Sequence, residues 1–173
     1  MKKLIFILIL SVTLALATNP IQNNAPNFVL QDVDGKTVRL DTLLKKGPVL
    51  MSYWALWCKM CIKELDAMKP YFGELESLHC SYLAISQDKA RSVPEVKPFA
   101  ASHKWKYTVV LDPENKMRDL YKVQVMPSFF IIDQNKKIVF THQGYKPGDE
   151  TKIIAKIREI LNPSPASQSG ANK

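Results

Sequence analysis

Residues 53–64 of the chain read YWALWCKMCIKE, and this stretch decides the fold and the chemistry. Cys58 and Cys61 are separated by two residues, and Trp57 precedes the first of them. Two thiols at this spacing on the first turn of a helix can close a small disulfide ring and open it again. The pair is therefore predicted to be a redox device rather than a structural cross-link.

A strand precedes the cysteine pair and a helix follows it. Residues 49–54 are a short run of bulky, mostly apolar side chains, which is typical of a buried central strand. From Cys58 onward, apolar residues recur at intervals of three or four, which predicts a helix. These positions are Cys61, Leu65, Met68 and Phe72. Pro70 falls inside the pattern and is expected to kink or divide that helix.

The rest of the chain alternates between predicted strands and helices. An N-terminal β-hairpin is predicted from residues 28–30 and 38–40, which flank the turn sequence Asp34-Gly35. Apolar runs and periodicity predict the remaining elements. The strands are 80–86, 107–111, 129–132 and 138–141, and the helices are 41–44, 93–103, 115–121 and 149–161. An α/β fold follows, with helices flanking a central mixed sheet.

The N-terminus has the pattern of an export signal. Lys2 and Lys3 precede an almost wholly apolar run, and Ala15-Leu16-Ala17 has the small-x-small form of a signal peptidase site. The run is shorter than the roughly 20 residues of a spanning helix. Residues 1–17 are therefore predicted to be a signal peptide, with an uncleaved membrane anchor as the alternative. Export would place the protein where disulfides form and persist.

Composition and length restrict the remaining possibilities. The chain has 173 residues, a formal net charge of +8 and three cysteines. Three cysteines are too few for a disulfide framework, and an odd number would leave one of them unpaired. Its lysines are scattered rather than clustered, so no nucleic-acid interface is predicted. One domain is expected over residues 25–162, preceded by a linker at 18–24 and followed by a small, polar, disordered tail at 163–173.

The two cysteines are predicted to have different roles. Cys58 would be the attacking, exposed thiol, because a helix N-terminus and the neighbouring Lys59 favour a thiolate. Cys61, one turn further on and facing the protein, would be the resolving thiol. Glu64 lies on the same helix face, where a half-buried carboxylate with a raised pKa would accept the proton of Cys61. The alternative is that Glu64 is an ordinary surface residue.

Other candidate sites are weaker. Half a zinc site is the alternative for the cysteine pair, but the remaining Cys80 and three histidines have no ligand spacing. Cys80 opens an apolar strand and is expected to be buried and inert. Met126-Pro127 precedes a predicted strand and indicates a tight turn at a sheet edge, in which the peptide bond could be cis.

The longer pattern resembles the TlpA/ResA branch of exported thioredoxin-like thiol–disulfide oxidoreductases over residues 25–161. The motifs that carry the resemblance are Ala25-Pro26-Asn27-Phe28, Asp34-Gly35-Lys36, Trp54-Ala55-x-Trp57-Cys58, Leu111-Asp112, Tyr121-x-Val123, Met126-Pro127-Ser128-Phe129, Phe130-Ile131-Ile132-Asp133 and Gly144. The resemblance implies a thioredoxin-like fold in which residues 92–103 form an extra helical insertion. It also implies no cofactor beyond the redox-active cysteine pair.

The resemblance further implies roles for individual residues. Pro127 would be a cis-proline facing a Cys58–Cys61 disulfide, and Trp57 and the backbone of Met126 would contact the substrate. Glu64 matches the acidic residue that the family places three positions after the second cysteine. Family members commonly reduce disulfides in exported proteins, notably apocytochrome c, and receive electrons from a membrane-embedded dithiol donor.

Three positions depart from the family pattern. Ser52 stands where thioredoxin has a buried aspartate, so Glu64 would have to act as the only base. Met60 stands where the family often has proline, which bears on the redox potential. Asp66 replaces a proline in the helix, and Pro70 would then supply the kink.

Three other functions are alternatives to disulfide reduction. A disulfide oxidase or isomerase would use the same site. A peroxiredoxin would need the signature Pro-x-x-x-Thr/Ser-x-x-Cys, but Met51 and Ala55 occupy those places before Cys58. A non-catalytic binding or metal-chaperone module is the remaining alternative, although copper carriers of this fold separate their cysteines by three residues.

Overall fold

A computed structural model describes residues 24–161, which form a seven-stranded sheet flanked by helices. The strands are β1 Val29–Asp32, β2 Thr37–Arg39, β3 Val49–Trp54, β4 Ser81–Ser86, β5 Thr108–Leu111, β6 Ser128–Ile132 and β7 Ile138–Gln143. The helices are α1 Leu40–Leu44, α2 Lys59–Met68, α3 Phe72–Ser77, α4 Val93–Ser102, α5 Lys116–Leu120 and α6 Asp149–Leu161. The predicted α/β fold is confirmed: helices flank a central mixed sheet, with an N-terminal hairpin and a helix, Val93–Ser102, at the predicted insertion.

The strand order of the sheet is β2-β1-β5-β4-β3-β6-β7. Strands β3, β4 and β5 run parallel, whereas β1, β2, β6 and β7 pair antiparallel with their neighbours. Strand β3 is central, and all six of its residues are buried, as its apolar sequence predicts. Its C-terminal end leads directly into the segment that carries Cys58 and Cys61.

Two apolar layers cover the two faces of the sheet. Because side chains alternate along a strand, β3 contributes Leu50 and Trp54 to one layer, and Val49, Met51 and Tyr53 to the other. The first layer also contains residues of α2, α4 and α6, and the second contains residues of α1 and α5. Both faces of β3 are therefore shielded from solvent, which is the environment expected for the centre of an α/β sheet.

Pro70 divides the helix that follows the cysteines, as predicted. Helix α2 ends at Met68, a 3-10 turn spans Lys69–Tyr71, and α3 begins at Phe72. Proline has no N–H for the helical ladder, so the tighter turn replaces one turn of α-helix. The break separates the two helices that pack against the same face of the sheet.

Several predicted boundaries shift by a residue. Strands β4 and β5 begin at Ser81 and Thr108, one residue after Cys80 and Tyr107, and β6 begins at Ser128, one residue early. Asn24 already forms a bridge with Lys137, so the described fold starts one residue inside the predicted linker. The predicted signal peptide or anchor, most of the linker and the tail lie outside the described residues. Between residues 24 and 161, every helix is too short or too polar to cross a membrane.

Two glycines give a matched test of this packing. A Cβ atom at Gly47 would clash with the backbone carbonyl of His79, whereas a Cβ atom at Gly73 on α3 would meet nothing within 4 Å. We expect Gly47→Ala to lower the free energy of unfolding by about 1–3 kcal/mol. Gly73→Ala should raise it by about 0.5–1 kcal/mol, because alanine favours a helix interior.

Urea unfolding of both variants, followed by circular dichroism, makes this comparison. Equal effects of the two substitutions would show that the turn before β3 does not pack against the His79 carbonyl as described.

Candidate active site

The cysteine pair forms a disulfide at the N-terminus of α2. Cys58 is the residue immediately before the helix, the S–S distance is 2.06 Å, and the backbone N–H of Cys61 donates to Cys58 Sγ at 3.3 Å. Cys58 retains 8% of its surface exposed and Cys61 none. Cys58 is therefore the more accessible sulfur, but the expectation of an exposed thiol is wrong, because the surrounding loops cover most of it.

A buried carboxylate holds the loop between β3 and Cys58. Both oxygens of Asp88 accept the backbone N–H of Leu56, at 3.0 and 3.3 Å, and the Ser86 hydroxyl donates to Asp88 Oδ2 at 2.8 Å. The backbone N–H of Cys58 in turn donates to the carbonyl of Ala55 at 2.9 Å. Asp88 was not among the residues predicted from the sequence. Its position two residues after β4 was the available signal, since parallel strands end on the same side of a sheet.

Glu64 lies wholly inside the protein, beneath the helix turn that carries Cys61. Its carboxylate accepts a hydrogen bond from the Ser52 hydroxyl at 3.1 Å and one from the Tyr82 hydroxyl at 3.1 Å. Burial raises the pKa of Glu64 well above its ordinary value, and the two hydroxyl donors offset only part of that effect. The expected half-buried position is therefore wrong, because strands β3 and β4 cover the carboxylate completely.

The partners of Glu64 come from the two central strands. Ser52 lies between Leu50 and Trp54 on the face of β3 that packs against α2. Tyr82, on β4, packs against Tyr107 with ring centroids 4.5 Å apart and the ring planes tilted by 41°. The serine that replaces the aspartate of thioredoxin thus remains next to the acid, as a hydrogen-bond donor. Tyr82 was not predicted, because nothing in an apolar strand sequence indicates a polar contact.

The peptide bond between Met126 and Pro127 is cis. Pro127 directly precedes β6, which lies between β3 and β7, so the predicted position at a sheet edge is wrong. The missing N–H is tolerated because the proline sits just before the first ladder position. Among residues 24–161, the backbone N–H and carbonyl of Met126 form no hydrogen bond.

A pocket of about 200 Å³ lies directly beside Cys58. Trp57, with 70% of its surface exposed, and Met126 line it together with the cysteine. The amide of Gln87 contacts the Met126 sulfur. The structure thus brings together the predicted residues Trp57, Cys58 and Met126. It places Cys61 and Glu64 behind them in the interior.

Cys80 lies outside this site. It is buried just before β4, and burial raises the pKa of its thiol to about 12. A thiol with such a pKa is almost entirely protonated at neutral pH, so it is a poor nucleophile.

Comparisons with known proteins agree with this geometry. The sequence profile of the AhpC/TSA family matches residues 21–141. The thiol-disulfide oxidoreductase ResA of Bacillus anthracis is 33% identical over 119 residues, which are 69% of this chain and 67% of that protein. A solved thioredoxin-like protein from Porphyromonas gingivalis is 31% identical, with a TM-score of 0.66 over 79% of this chain and 91% of that one. The exposed lipoprotein thioredoxin of Streptococcus pneumoniae is 26% identical, with a TM-score of 0.65 over 78% and 99%.

The buried acid makes stability depend on pH in a definite direction. The pKa of Glu64 is raised, so between its ordinary value of 4.5 and its folded value the native state holds a proton that the unfolded state releases. Stability then falls as pH rises, by up to about 1.4 kcal/mol per pH unit. We expect Glu64→Gln to remove this slope, so that the variant gains stability over the wild type from pH 5 to pH 8. Urea unfolding of the oxidised proteins measures the difference.

Glu74→Gln is the matched control. The hydrogen bond from the Arg158 guanidinium lowers the pKa of Glu74, so the stability that this ion pair contributes is present above pH 4.5 and is lost only below it. The stability difference between Glu74→Gln and wild type should therefore be constant from pH 5 to pH 8. A stability difference between Glu64→Gln and wild type that is constant from pH 5 to pH 8 would contradict a raised pKa for Glu64.

Proposed function

The chain belongs to the AhpC/TSA family and is a thiol–disulfide oxidoreductase of the ResA type, and we propose a specific role for it on this basis. In this role, the protein reduces disulfides in exported proteins outside the cytoplasm. The observation that carries the proposal is the Cys58–Cys61 disulfide beside an open pocket, with a buried acid behind it. The peroxidase signature is absent here, because Met51 and Ala55 offer no proline and no hydroxyl before Cys58.

The reaction begins from the reduced pair. The Cys58 thiolate attacks one sulfur of a substrate disulfide, a mixed disulfide forms, and the first substrate sulfur leaves as a thiolate that takes a proton from water. The Cys61 thiolate then attacks Cys58 Sγ, which closes the enzyme disulfide and releases the second substrate thiolate. Two electrons pass from the enzyme to the substrate, and a dithiol donor restores the reduced pair. The helix N-terminus at Cys58 favours the attacking thiolate.

Glu64 is the group that would take the proton from Cys61. The two residues are one turn apart on α2 and both are wholly buried, so water has little access to the resolving thiol. A carboxylate with a raised pKa is a stronger base than an exposed one, and this matches the need of a thiol near pH 7. Ser52 and Tyr82 fix the orientation of the carboxylate through their hydrogen bonds.

Trp57, Met126 and Pro127 are the proposed substrate contacts. The unpaired N–H and carbonyl of Met126 can pair with an extended substrate backbone, as strands do in β-augmentation. The exposed indole of Trp57 offers a large apolar surface next to the reacting sulfur. A polypeptide with a disulfide in an extended or unfolded segment would fit this site better than a compact folded protein.

The export pattern of residues 1–17 and the exposed location named for the pneumococcal relative support a position outside the cytoplasm. A signal peptide or a retained N-terminal membrane anchor would both be compatible with that position. Apocytochrome c is then a proposed substrate, and a membrane-embedded dithiol protein is the proposed electron donor. No cofactor beyond the cysteine pair enters this mechanism.

Reduction of insulin disulfides by the full chain tests the proposal. We expect the wild type to reduce insulin and Cys58→Ser to be inactive, because the attacking sulfur is lost. Cys61→Ser should accumulate mixed disulfides that a reductant releases. Cys80→Ser should retain wild-type activity, since Cys80 is buried outside the site. Full activity of Cys58→Ser, or none in the wild type, would contradict the proposal.

The reduction potential of the pair separates a reductase from an oxidase. A value near that of thioredoxin, about −270 mV, is the expected result, and a value near −120 mV would instead indicate disulfide formation.

A further inference from the structure

We propose that the pocket beside Cys58 is a subsite for a carboxylate that the substrate carries next to its disulfide, and that Arg118 is the residue that binds it. This inference rests on the proposed function, because the substrate must present a disulfide to Cys58. It adds a charge preference that neither the cysteine motif nor the cis-proline provides.

The pocket is lined by both apolar and polar residues. Trp57, Val123 and Met126 are the apolar ones, and Gln124 supplies a side-chain amide, whereas the amide nitrogen of Gln87 already contacts the Met126 sulfur. Amide N–H groups donate hydrogen bonds to anions as well as to neutral acceptors. None of the residues that line the pocket carries a carboxylate, so no acidic side chain opposes an incoming anion.

Arg118 supplies the positive charge of the pocket. It lies on α5, and its Nε donates to the carbonyl of Val123 at 3.3 Å. The backbone N–H of Val123 donates to the Arg118 carbonyl at 2.9 Å, so a closed turn carries the arginine. The bond at Nε restrains the guanidinium plane, which lowers the entropy cost of ordering the side chain around a ligand.

The terminal nitrogens of Arg118 remain available. Between residues 24 and 161, they form no hydrogen bond and no ion pair, although Asp119 is the next residue along the chain. Two parallel N–H groups of one guanidinium match the two oxygens of a carboxylate, and such pairs are among the stronger hydrogen bonds in proteins. The free terminal N–H groups of Arg118, in a pocket without acidic residues, are therefore suited to binding a carboxylate.

The other charged groups near the cysteines do not weaken this preference. Lys59 is exposed immediately after Cys58 and has the same sign as Arg118. Asp88, a buried acid next to Gln87 in the chain, is occupied by the N–H of Leu56 and the hydroxyl of Ser86. A carboxylate placed beside the Cys58 sulfur would thus meet the positive charge of Arg118 and the amide of Gln124.

The test uses capped tripeptides, acetyl-Ala-Cys-Xaa-amide, joined as symmetric disulfide dimers, in which Xaa is Glu, Gln or Lys. Oxidised glutathione, whose carboxylates are terminal, is a fourth substrate that separates a small-molecule source from an acidic side chain. The pre-reduced full chain is mixed with each disulfide, and the second-order rate constant is read from protein fluorescence. Wild type is compared with Arg118→Gln, Arg118→Lys and the control Lys116→Gln, which changes the same charge on α5 outside the pocket.

Comparing variant with wild type on the same substrate cancels the intrinsic reactivity of each disulfide. We expect Arg118→Gln to slow reduction of the Glu dimer or of oxidised glutathione about tenfold, the low end of what a charge-assisted hydrogen bond contributes. Its rates on the Gln and Lys dimers should stay within about twofold of wild type. Arg118→Lys should be intermediate, and Lys116→Gln should match wild type on all four.

Which substrate responds identifies the source of the carboxylate. A slowing of the Glu dimer indicates an acidic side chain, and a slowing confined to oxidised glutathione indicates a small disulfide. Equal slowing of all substrates by Arg118→Gln would show that Arg118 only stabilises the turn that ends at Val123, and it would overturn the inference. No slowing of any substrate would also overturn it. A wild type that reduces none of the disulfides would overturn the proposed function itself, and this inference with it.

Discussion

The site depends on one costly constraint: the carboxyl group of Glu64 is buried, and none of residues 24–161 offers it a positively charged partner. The two groups that donate to it are hydroxyls, Ser52 from β3 and Tyr82 from β4. Burial of an unpaired charge is expensive, so the group holds its proton to a higher pH than usual. A carboxylate with a raised pKa is a suitable base for the Cys61 thiol, which must lose its proton where water has little access. The hydrogen bonds also tie α2 to the two central strands, which fixes the helix that begins at Cys58.

The strand topology brings the other parts of the site to the same end of the sheet. Strands β3 and β4 are parallel and end together, which places the Cys58 loop beside Asp88. Strand β6 runs antiparallel to β3 and begins at that end, so Met126 reaches the same pocket as Cys58. Helix α5 precedes β6 and carries Arg118, which also lines the pocket. The catalytic pair and its surroundings therefore come from four separated segments that only the folded sheet unites.

The sequence predicted the elements well because their signals are local. Periodicity separates strands from helices, Pro70 breaks a helix wherever it lies, and the motif around Cys58 marks a helix N-terminus. The errors concern how deeply the site residues are buried and which residues they contact. Cys58 and Glu64 are more buried than expected, and Asp88, Tyr82 and Arg118 were missed. Tyr82 is 18 residues from Glu64 and Asp88 is 32 from Leu56, so these contacts depend on strand order, which local patterns do not encode.

The most direct test of the account follows the proton of Cys61. A mixed disulfide between Cys58 and a chromogenic thiol is formed under acid conditions, and a pH jump in a stopped-flow instrument starts its resolution by Cys61. If Glu64 accepts the proton, the wild-type rate rises with pH as Glu64 ionises, and Glu64→Gln slows resolution at pH 7 by about a hundredfold. Equal rates for the two proteins from pH 5 to pH 8 would contradict the account, because the buried acid would then have no part in the chemistry.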